Sequence, residues 1–456
     1  MQATQFFDSA LLKKYNTSGP RYTSYPTALE FHDQFQHDHL VQAIEASPNR
    51  ELSLYVHIPF CHSLCYYCGC NKVITRHRDK ADTYLEFLAE EIASRAPLFK
   101  DYTVKQLHWG GGTPSFLRHE QITKLVELLK EKFTFAEQVE MSIEIDPREI
   151  EMNLAEHLYS LGFNRISIGV QDIDEKVQET INRVQSTEFI ENFIAHAKVV
   201  GFKSINIDLI YGLPHQNIDT FTRTLNKAHE MDVDRISLFS YAHIPARFAA
   251  QRKLRDEWLP SVDEKFALMK LAIEKLCDFG YDFIGMDHFA KPEDELSIAQ
   301  KAGKLHRNFQ GYTTKGGCDL LGLGVSSISA IGNSFSQNTK ELQDYYKAID
   351  TQAHAHVKGV SLTNDDIIRG EVIRELMCNL YLDKNKINEK FAIDFDQYFA
   401  EDLPSLNTFI NDGLMTNSAD EIKVNQKARL LIRNICMSFD AYMKQHLNKQ
   451  RFSRVI

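Results

Sequence analysis

The sequence predicts an α/β fold, a partial (β/α)6-type, TIM-like barrel with extra elements, followed by a small, mostly helical domain. Between residue 52 and about residue 290, short β-branched segments alternate with amphipathic ones, which is typical of a parallel sheet covered by helices. Polar or glycine-rich residues follow the predicted strands at one end, as expected for the mouth of a barrel. From residue 362 the pattern becomes mainly helical. At 456 residues the chain exceeds the size of a single core, so more than one domain is expected.

The elements are assigned from apolar periodicity, which is two residues in strands and three to four in helices. Strands are predicted at 52–58, 104–109, 139–145, 165–170, 204–210, 235–240 and 283–286. The helices between them are predicted at 82–98, 120–133, 153–161, 218–229 and 262–279. Residues 291–360 are less regular. The resulting domains are an N-terminal arm (1–45), a catalytic barrel (46–360) and a helical lid (361–456).

The C-terminal pattern predicts a winged-helix-like domain. Helices are expected at 364–381, at 395–399 and up to Gly413, followed by two short strands in 414–424 and a closing helix at 428–447. Because residues 362–424 are rich in Asp and Glu, a lid or packing role is favoured over DNA binding. In the N-terminal arm, residues 18–26 are predicted to form an ordered loop. It either packs on the main domain or closes over a substrate.

Composition narrows the class of protein. The formal net charge of -10 argues against general nucleic-acid binding, which needs a basic surface. No stretch reaches the roughly 18 apolar residues of a membrane span, and the first residues lack the apolar core of a secretory signal. We therefore expect a cytoplasmic protein without a membrane partner, in which thiols stay reduced. Nothing in the sequence favours a dimer, so a monomer is expected.

Four of the eight cysteines fall within residues 55–70, whereas the others are isolated. In a reducing compartment such clustering indicates a metal or an iron–sulfur cluster. The spacing C-x3-C-x2-C allows one loop to wrap three sulfurs around a centre. Structural zinc generally needs a second, distant pair of ligands, and the isolated cysteines provide none. The clustered residues are Cys61, Cys65, Cys68 and Cys70.

The motifs around these cysteines resemble bacterial oxygen-independent coproporphyrinogen III oxidases of the radical S-adenosylmethionine (SAM) superfamily. The three-cysteine motif alone indicates only the superfamily. The longer motifs indicate the closer family, and the resemblance extends from residue 18 to residue 455. These are Tyr55-Val-His-Ile-Pro-Phe-Cys61, Cys68-Gly-Cys70, His108-Trp-Gly-Gly-Gly-Thr-Pro114, Ile143-Glu-Ile-Asp-Pro-Arg148, Gly169-Val-Gln-Asp172, Asn206-Ile-Asp-Leu-Ile-Tyr-Gly-Leu-Pro214, Gly285-Met-Asp-His-Phe-Ala290 and His306-Arg-Asn-Phe-Gln-Gly-Tyr312.

The resemblance implies oxidative decarboxylation of two propionates of coproporphyrinogen III to vinyls, giving protoporphyrinogen IX in haem biosynthesis. It implies one 4Fe–4S cluster and two SAM molecules. The reduced cluster would cleave SAM to a 5′-deoxyadenosyl radical, which removes hydrogen from the propionate carbon next to the ring. The reaction also implies a low-potential electron donor of the flavodoxin or ferredoxin kind.

The resemblance also assigns site residues by position, although none is assigned as a catalytic residue. Cys61, Cys65 and Cys68 match the cluster ligands, and Cys70 matches a position that does not bind the cluster. The positions that line the first SAM are matched by Tyr55 and Ile328. Gly111, Gly112 and Thr113 match contacts to SAM, and Glu144 could accept hydrogen bonds from the hydroxyls of a ribose. Those that match contacts to the second SAM are Tyr67, Gln171, Arg183, Asp208 and Ala242.

Substrate contacts are predicted from charge. Coproporphyrinogen III carries four propionates, so cationic residues are expected to face it. The candidates are Arg21, His306 and Arg307. Three alternatives to the oxidase stay open: a related haem-binding chaperone, a radical SAM enzyme acting on another tetrapyrrole, and a zinc-stabilised interaction module. The Gly69-Cys70 pair and the segment 19–22 favour the oxidase over the chaperone.

Overall fold

The computed structural model describes residues 8–352 and 354–443. Numbered in chain order, the strands are β1 Glu51–Ile58, β2 Phe60–Cys61, β3 Val73–Ile74, β4 Thr103–Gly111, β5 Thr134–Ile145, β6 Arg165–Gln171, β7 Ser204–Tyr211, β8 Arg235–Ser240, β9 Asp282–Gly285, β10 His288–Ala290, β11 His306–Asn308, β12 Gly311–Thr313, β13 Asp319–Leu323, β14 Ile328–Ile331, β15 Ser334–Asn338, β16 His356–Ser361, β17 Tyr381–Asp383, β18 Met415–Asn417 and β19 Glu421–Val424.

The α-helices of the same residues are α1 Ser9–Lys14, α2 His37–Ala46, α3 Lys80–Arg95, α4 His119–Lys132, α5 Leu154–Ser160, α6 Glu175–Thr180, α7 Thr187–Val200, α8 Ile218–Glu230, α9 Val262–Asp278, α10 Glu295–Lys301, α11 Leu342–Gln352, α12 Asn364–Asn379, α13 Lys384–Phe391, α14 Phe395–Tyr398, α15 Asn407–Asn411 and α16 Ile432–Met437.

The chain folds into two compact units, each built from separate stretches of sequence. The first unit contains residues 1–30, 273–316 and 362–456, and the second contains 31–272 and 317–361. Residues 273–316 therefore belong with the arm and the C-terminal region rather than with the barrel. The predicted three-domain boundaries stay a prediction.

The core of the second unit is a parallel sheet in the predicted order. β1, β4, β5, β6, β7 and β8 lie side by side, each parallel to the next. The six strands predicted between residues 52 and 240 all correspond to these, with bounds shifted by at most five residues. Because all six strands run the same way, their carboxyl ends lie at one edge of the sheet. That edge carries the cysteine loop and the glycine-rich turn.

Helix α7 was not among the predicted elements, although it connects β6 and β7. Ser186 caps its first turn by accepting a hydrogen bond from the backbone N–H of Phe189. Gly201 ends it with a φ of 116°, a conformation that glycine adopts without strain. The apolar pattern alone did not indicate this helix, but the two capping residues mark its ends in the sequence.

On the other side of β1, the sheet continues through strands that lie in the region predicted to be irregular. β13 pairs parallel with β1, and β14, β15 and β16 follow in antiparallel order. A Cβ on Gly322 of β13 would lie 2.5 Å from the carbonyl oxygen of Ile328, so glycine permits this close approach. The prediction of irregular structure was wrong here because the strands are short and rich in small residues.

The predicted strand at 283–286 is β9, in the first unit. It pairs antiparallel with β10 and so is not a further parallel repeat. The turn between the two strands passes through Gly285 and Met286, both with positive φ.

The C-terminal region contains the predicted helices and a small antiparallel wing. Strands β18 and β19 correspond to the two predicted strands, and β17 adds a third. The predicted closing helix was too long, because α16 ends at Met437 and the chain turns at Phe439 and Asp440. Residues 444–447 of that prediction lie outside the described residues. No helix in the described part of the chain is long and apolar enough to cross a membrane.

The N-terminal arm packs against α16 within the first unit. Arg433 donates hydrogen bonds to the carbonyl oxygens of Gly19 and Pro20, and Asn434 donates one to the carbonyl of Tyr15. The Tyr22 hydroxyl donates to Asp440 at 2.9 Å. The arm is therefore held to the C-terminal segment by buried polar contacts.

Candidate active site at the carboxyl edge of the parallel sheet

The cysteine loop is tied down at several points by backbone hydrogen bonds. Cys61 lies in β2, which pairs with β3, so the loop from 61 to 73 closes on itself. The N–H of Tyr66 donates to the carbonyl of Ile181, and the side chain of Asn182 donates to the carbonyl of Leu64. These bonds hold the loop against the chain around Ile181 and Asn182.

The three thiols do not have the spacing of ligands to one ion. Among the described residues, the sulfurs of Cys61, Cys65 and Cys68 do not all lie within 4.8 Å of one another. Four sulfurs around one tetrahedral zinc ion lie about 3.8 Å apart, given Zn–S bonds of about 2.3 Å. In a 4Fe–4S cluster each thiolate binds a different iron, so wider spacing is needed. The spacing of these three sulfurs is compatible with a cluster.

The thiol pKa values of Cys61, Cys68 and Cys70 are shifted in different directions. Burial raises the pKa of Cys61 to about 12, so this thiol keeps its proton until a metal displaces it. A hydrogen bond from Cys70 lowers the pKa of Cys68 to about 6. The same bond raises the pKa of Cys70, an exposed residue, well above its usual value. Cys70 therefore acts as the donor toward the Cys68 sulfur.

Two arginines border Cys65, of which Arg183 is buried and Arg148 partly buried. Arg148 and Arg183 approach its sulfur at 3.4 and 3.5 Å, and both donate to Asp146. Burial alone would raise the pKa of Asp146, but the two guanidinium groups hold it well below its usual range. Asp146 therefore stays charged and orients both arginines. Sequence reasoning did not assign Asp146 or Arg148 a role, although both lie in a quoted motif.

Each glycine of the turn at Gly110–Gly112 packs against a different neighbour. A Cβ on Gly110 would lie 3.0 Å from the Glu144 carboxylate, and one on Gly111 would lie 2.7 Å from the His57 ring. A Cβ on Gly112 would lie 2.5 Å from the backbone carbonyl oxygen of Pro59. The N–H of Gly112 donates to the carbonyl of Ile58 at 2.8 Å. The turn therefore packs directly on the backbone that leads into the cysteine loop.

Several residues predicted to contact SAM lie together beside this turn. The backbone N–H of Gly111 donates to Glu144, whose side chain is 44% exposed. The Tyr55 hydroxyl contacts His57 Nδ1 at 3.1 Å. Tyr55 also pairs across the sheet with Gly322, which lies against the carbonyl of Ile328. The Thr113 hydroxyl, by contrast, is already engaged by Ser115 and by the N–H of Asp146.

His57 is a residue that the predictions missed. It is buried between Tyr55 and the glycine turn, and its Nε2 lies 3.3 Å from the carbonyl oxygen of Asn71. Burial lowers its pKa to about 4, so it is neutral near pH 7. The alternating pattern of β1 was a usable signal, because Tyr55 and His57 lie on the same face of that strand.

The residues predicted for the second SAM follow along β6, β7 and β8. Arg183 Nη2 donates to the carbonyl of Gly169, and Arg183 Nε is buried without a hydrogen-bond partner. Gln171 has a φ of 66°, and its buried Oε1 also lacks a partner. Gln251, another residue missed from sequence, donates to the carbonyls of Tyr67 and Ala242 at 3.1 Å each.

Asp208 lies at the same edge, on β7. Asn206 donates to its carboxylate at 2.9 Å. Burial, with a smaller contribution from nearby Glu144, raises the pKa of Asp208 to about 7. Unpartnered polar atoms on Arg183 and Gln171, next to a carboxylate of raised pKa, are typical of a ligand site rather than of a structural core.

Comparison with known proteins identifies the family. The radical SAM superfamily model matches residues 55–228, and the HemN C-terminal domain model matches 362–431. Oxygen-independent coproporphyrinogen III oxidase of Salmonella typhimurium is 55% identical over 450 residues, which cover 99% of this chain and 98% of that protein. The Escherichia coli K12 protein of the same name is 54% identical over 450 residues, again 99% of this chain and 98% of that one. The chain belongs to the oxygen-independent coproporphyrinogen III oxidase family.

Structural comparison agrees with this assignment. A solved structure of coproporphyrinogen III oxidase (HemN) from Escherichia coli, described as a radical SAM enzyme, superposes with a TM-score of 0.93 at 53% identity. The match covers 96% of this chain and 99% of that one. The predicted family and the predicted radical SAM fold class are thereby confirmed. Membership of the superfamily implies a 4Fe–4S cluster and SAM as cofactors.

The residues present fit those cofactors. Cys61, Cys65 and Cys68 supply the soft ligands that iron–sulfur clusters require. The turn at Gly110–Gly112 brings backbone N–H groups close to the loop without side chains in the way. In this family, Cys61, Cys65 and Cys68 would therefore hold the cluster, and the carboxyl edge of the sheet would hold SAM.

Proposed function

We propose that this chain catalyses the oxygen-independent oxidative decarboxylation of two propionates of coproporphyrinogen III, which gives protoporphyrinogen IX. The observation that carries the proposal is the loop with three cysteine ligands packed on the Gly110–Gly112 turn, in a chain 55% identical to an enzyme of that name. When bound, the cluster and SAM supply a 5′-deoxyadenosyl radical for hydrogen removal.

The residues of the chain position these groups and protect the reaction. Cys61, Cys65 and Cys68 would hold the cluster through their thiolates, and SAM would bind beside them. Glu144 accepts hydrogen bonds from ribose hydroxyls, and the backbone of Gly111 and Gly112 approaches the methionine part. Tyr55 and Ile328 line the same ligand. The apolar packing of the loop on Ile181 and Leu213 keeps water away from this edge.

A second SAM is part of the proposal. Its contacts are Tyr67, Gln171, Arg183, Asp208 and Ala242. Arg183 suits the SAM carboxylate and Asp208 suits its ammonium group. The support is the buried Nε of Arg183 and Oε1 of Gln171, neither of which has a protein partner. Titration of reconstituted protein with SAM should give two molecules per chain, and one per chain would contradict this part.

SAM binding at the second site should depend on pH through Asp208. With the pKa of its carboxyl raised to about 7, only about 10% of Asp208 is charged at about pH 6, and about 90% at about pH 8. Since an ammonium group binds the charged form, affinity should rise about tenfold over this range. Calorimetric titration at each pH measures it. In Asp208→Asn the affinity for SAM should no longer depend on pH. In Asp344→Asn, a control at an exposed residue, the dependence should remain. A pH dependence that persists in Asp208→Asn would refute the assignment.

A related haem-binding chaperone is the second candidate. It shares the cluster motif, so the thiols alone do not separate the two. Anaerobic incubation of reconstituted protein with SAM, a reductant and coproporphyrinogen III should produce protoporphyrinogen IX. Stable haem binding without vinyl product would instead support the chaperone.

Two further features complete the proposal. The reaction needs one low-potential electron per SAM cleaved, so the partner is an electron carrier of the flavodoxin or ferredoxin kind. The cysteines of the described residues form no disulfide, which suits the reducing cytoplasm, where such carriers are found. We propose that the chain acts there as a monomer.

A further inference from the structure

The hairpin of β11 and β12 brings an arginine and a tyrosine together on one face. Arg307 lies directly opposite Tyr312 in the antiparallel register. Directly opposed residues share a face of the hairpin, so their side chains meet. The guanidinium carbon of Arg307 lies 4.8 Å from the centre of the Tyr312 ring. This contact holds the cation in place but uses none of its N–H donors.

The hydrogen-bond donors of this pair have no partner. Arg307 Nε and Nη1, the Tyr312 hydroxyl and Gln310 Nε2 are all buried without a hydrogen bond. Tyr312 is only 8% exposed. Buried N–H and O–H groups without partners are costly, and an unpaired guanidinium more so. Four donors in one short hairpin therefore indicate an acceptor that binds there.

The backbone opposite makes room for the tyrosine. Gly285 has a φ of 150°, and a Cβ at that position would lie 2.6 Å from the Tyr312 hydroxyl oxygen. The His288 ring meets the Tyr312 ring edge-on, with centroids 5.3 Å apart. Two of the motifs noted in the sequence, 285–290 and 306–312, are thus packed on one another.

Arg307 lies among other charged side chains of the first unit. Burial would raise the pKa of Asp287, but Arg21, His288 and Arg307 hold it well below its usual value. Arg433 is 4% exposed, and burial and Arg21 lower its pKa to about 9. We call Arg21, Arg307 and Arg433 the arginine cluster. Its three cations face the carboxylate of Asp287, which is bound by Arg21 and His288. An anionic ligand at Arg307 would interact favourably with these cations.

The structure distinguishes the three cationic candidates that the sequence indicated. Arg21 is engaged by Asp287 in an ion pair. His306 precedes Arg307 in β11, so its side chain lies on the opposite face of the strand, where its ring meets Gly316. Burial and nearby Arg374 lower the pKa of His306, which disfavours a cation there. Arg307 alone among the three combines positive charge with buried, unpartnered donors.

We propose that the arginine cluster is a carboxylate-binding site. Arg307 and the Tyr312 hydroxyl are the direct ligands, and Arg21 and Arg433 supply the surrounding charge. Because the proposed function gives the chain a substrate with four propionates, the ligand is one of those propionates; this identification rests on the proposed function. Gln310 Nε2 supplies a further donor at the same hairpin.

Binding of coproporphyrin III to reconstituted enzyme, followed by porphyrin fluorescence, tests the site. Coproporphyrin III tetramethyl ester, which has no carboxylates, is the matched ligand. Charge-assisted hydrogen bonds contribute enough that Arg307→Gln should weaken binding of the tetra-acid about 10- to 100-fold. Tyr312→Phe should weaken it about 3- to 10-fold, and Arg307→Lys should restore part of the loss. Binding of the ester should not change.

Controls show whether a loss of binding comes from the carboxylate site rather than from misfolding or from a defect in the reaction. Arg255→Gln removes one positive charge from an exposed arginine and should leave both Kd values unchanged. Unchanged binding of the ester shows that Arg307→Gln is folded. An unchanged Kd for the tetra-acid in that variant, or an equal loss for acid and ester, would overturn the carboxylate site. If wild-type enzyme binds the tetra-acid selectively but forms no vinyl product, the proposed function fails while the site stands.

Discussion

Cys65→Ala is expected to abolish cluster assembly and, with it, all vinyl product. Three thiols must bind three irons so that one iron remains open for SAM, and the described structure offers no replacement for Cys65 at its position between Arg148 and Arg183. Loss of a direct ligand should exceed the roughly 10–100-fold loss that follows removal of an outer-shell partner. Iron and sulfide analysis, the visible absorbance of the cluster and SAM cleavage measure the effect.

Cys70→Ala is the matched control for metal content. Cys70 donates a hydrogen bond to Cys68 but is not one of the three proposed ligands. Its removal should leave about four irons and four sulfides per chain. Wild-type iron content in Cys65→Ala, or loss of the cluster in Cys70→Ala, would show that the division into three ligands and one neighbour is wrong.

Gly112→Ala is expected to displace the cysteine loop from the sheet. The added Cβ would lie 2.5 to 2.7 Å from backbone atoms of Pro59 and Phe60, which no change of rotamer can relieve. A displacement of about 1 Å at a reacting centre can lower the rate about 100-fold. Forcing a methyl group into a packed site also costs about 1–3 kcal/mol of unfolding free energy. Turnover and thermal unfolding of the reconstituted protein measure both effects.

Gly317→Ala makes the same substitution where there is space. Gly317 is exposed, has no positive φ, and a Cβ there would meet no atom within 4 Å. Its turnover should match that of wild type. If Gly112→Ala retained full turnover, the packing of the glycine turn on the loop would not be required for the reaction.

The parallel sheet could be predicted because each of its strands carries a local signal. β1, β4, β6, β7 and β8 are short β-branched runs, and each ends in polar or glycine-rich residues at the shared edge. The cysteine cluster was visible for the same reason, since its spacing is local. The longer motifs, read as a family resemblance, then indicated the family that the comparisons confirmed.

Long-range contacts could not be read from the sequence. Gln251 joins the backbones of Tyr67 and Ala242, which are 175 positions apart in sequence. In the sequence, His57 is one residue of a predicted strand, and only the fold shows that it lies against Gly111. The arginine cluster draws on three separate segments, so it forms only when those segments meet. Such sites depend on tertiary packing, which periodicity does not encode.

Isotope transfer tests the central claim most directly. Coproporphyrinogen III deuterated at the propionate carbons next to the rings is incubated anaerobically with reconstituted protein, SAM and a reductant. The 5′-deoxyadenosine is then analysed by mass spectrometry. The account predicts one deuterium in the 5′-deoxyadenosine for each vinyl group formed, and neither product with Cys65→Ala. Vinyl formation with unlabelled 5′-deoxyadenosine, or label transfer that persists in Cys65→Ala, would contradict it.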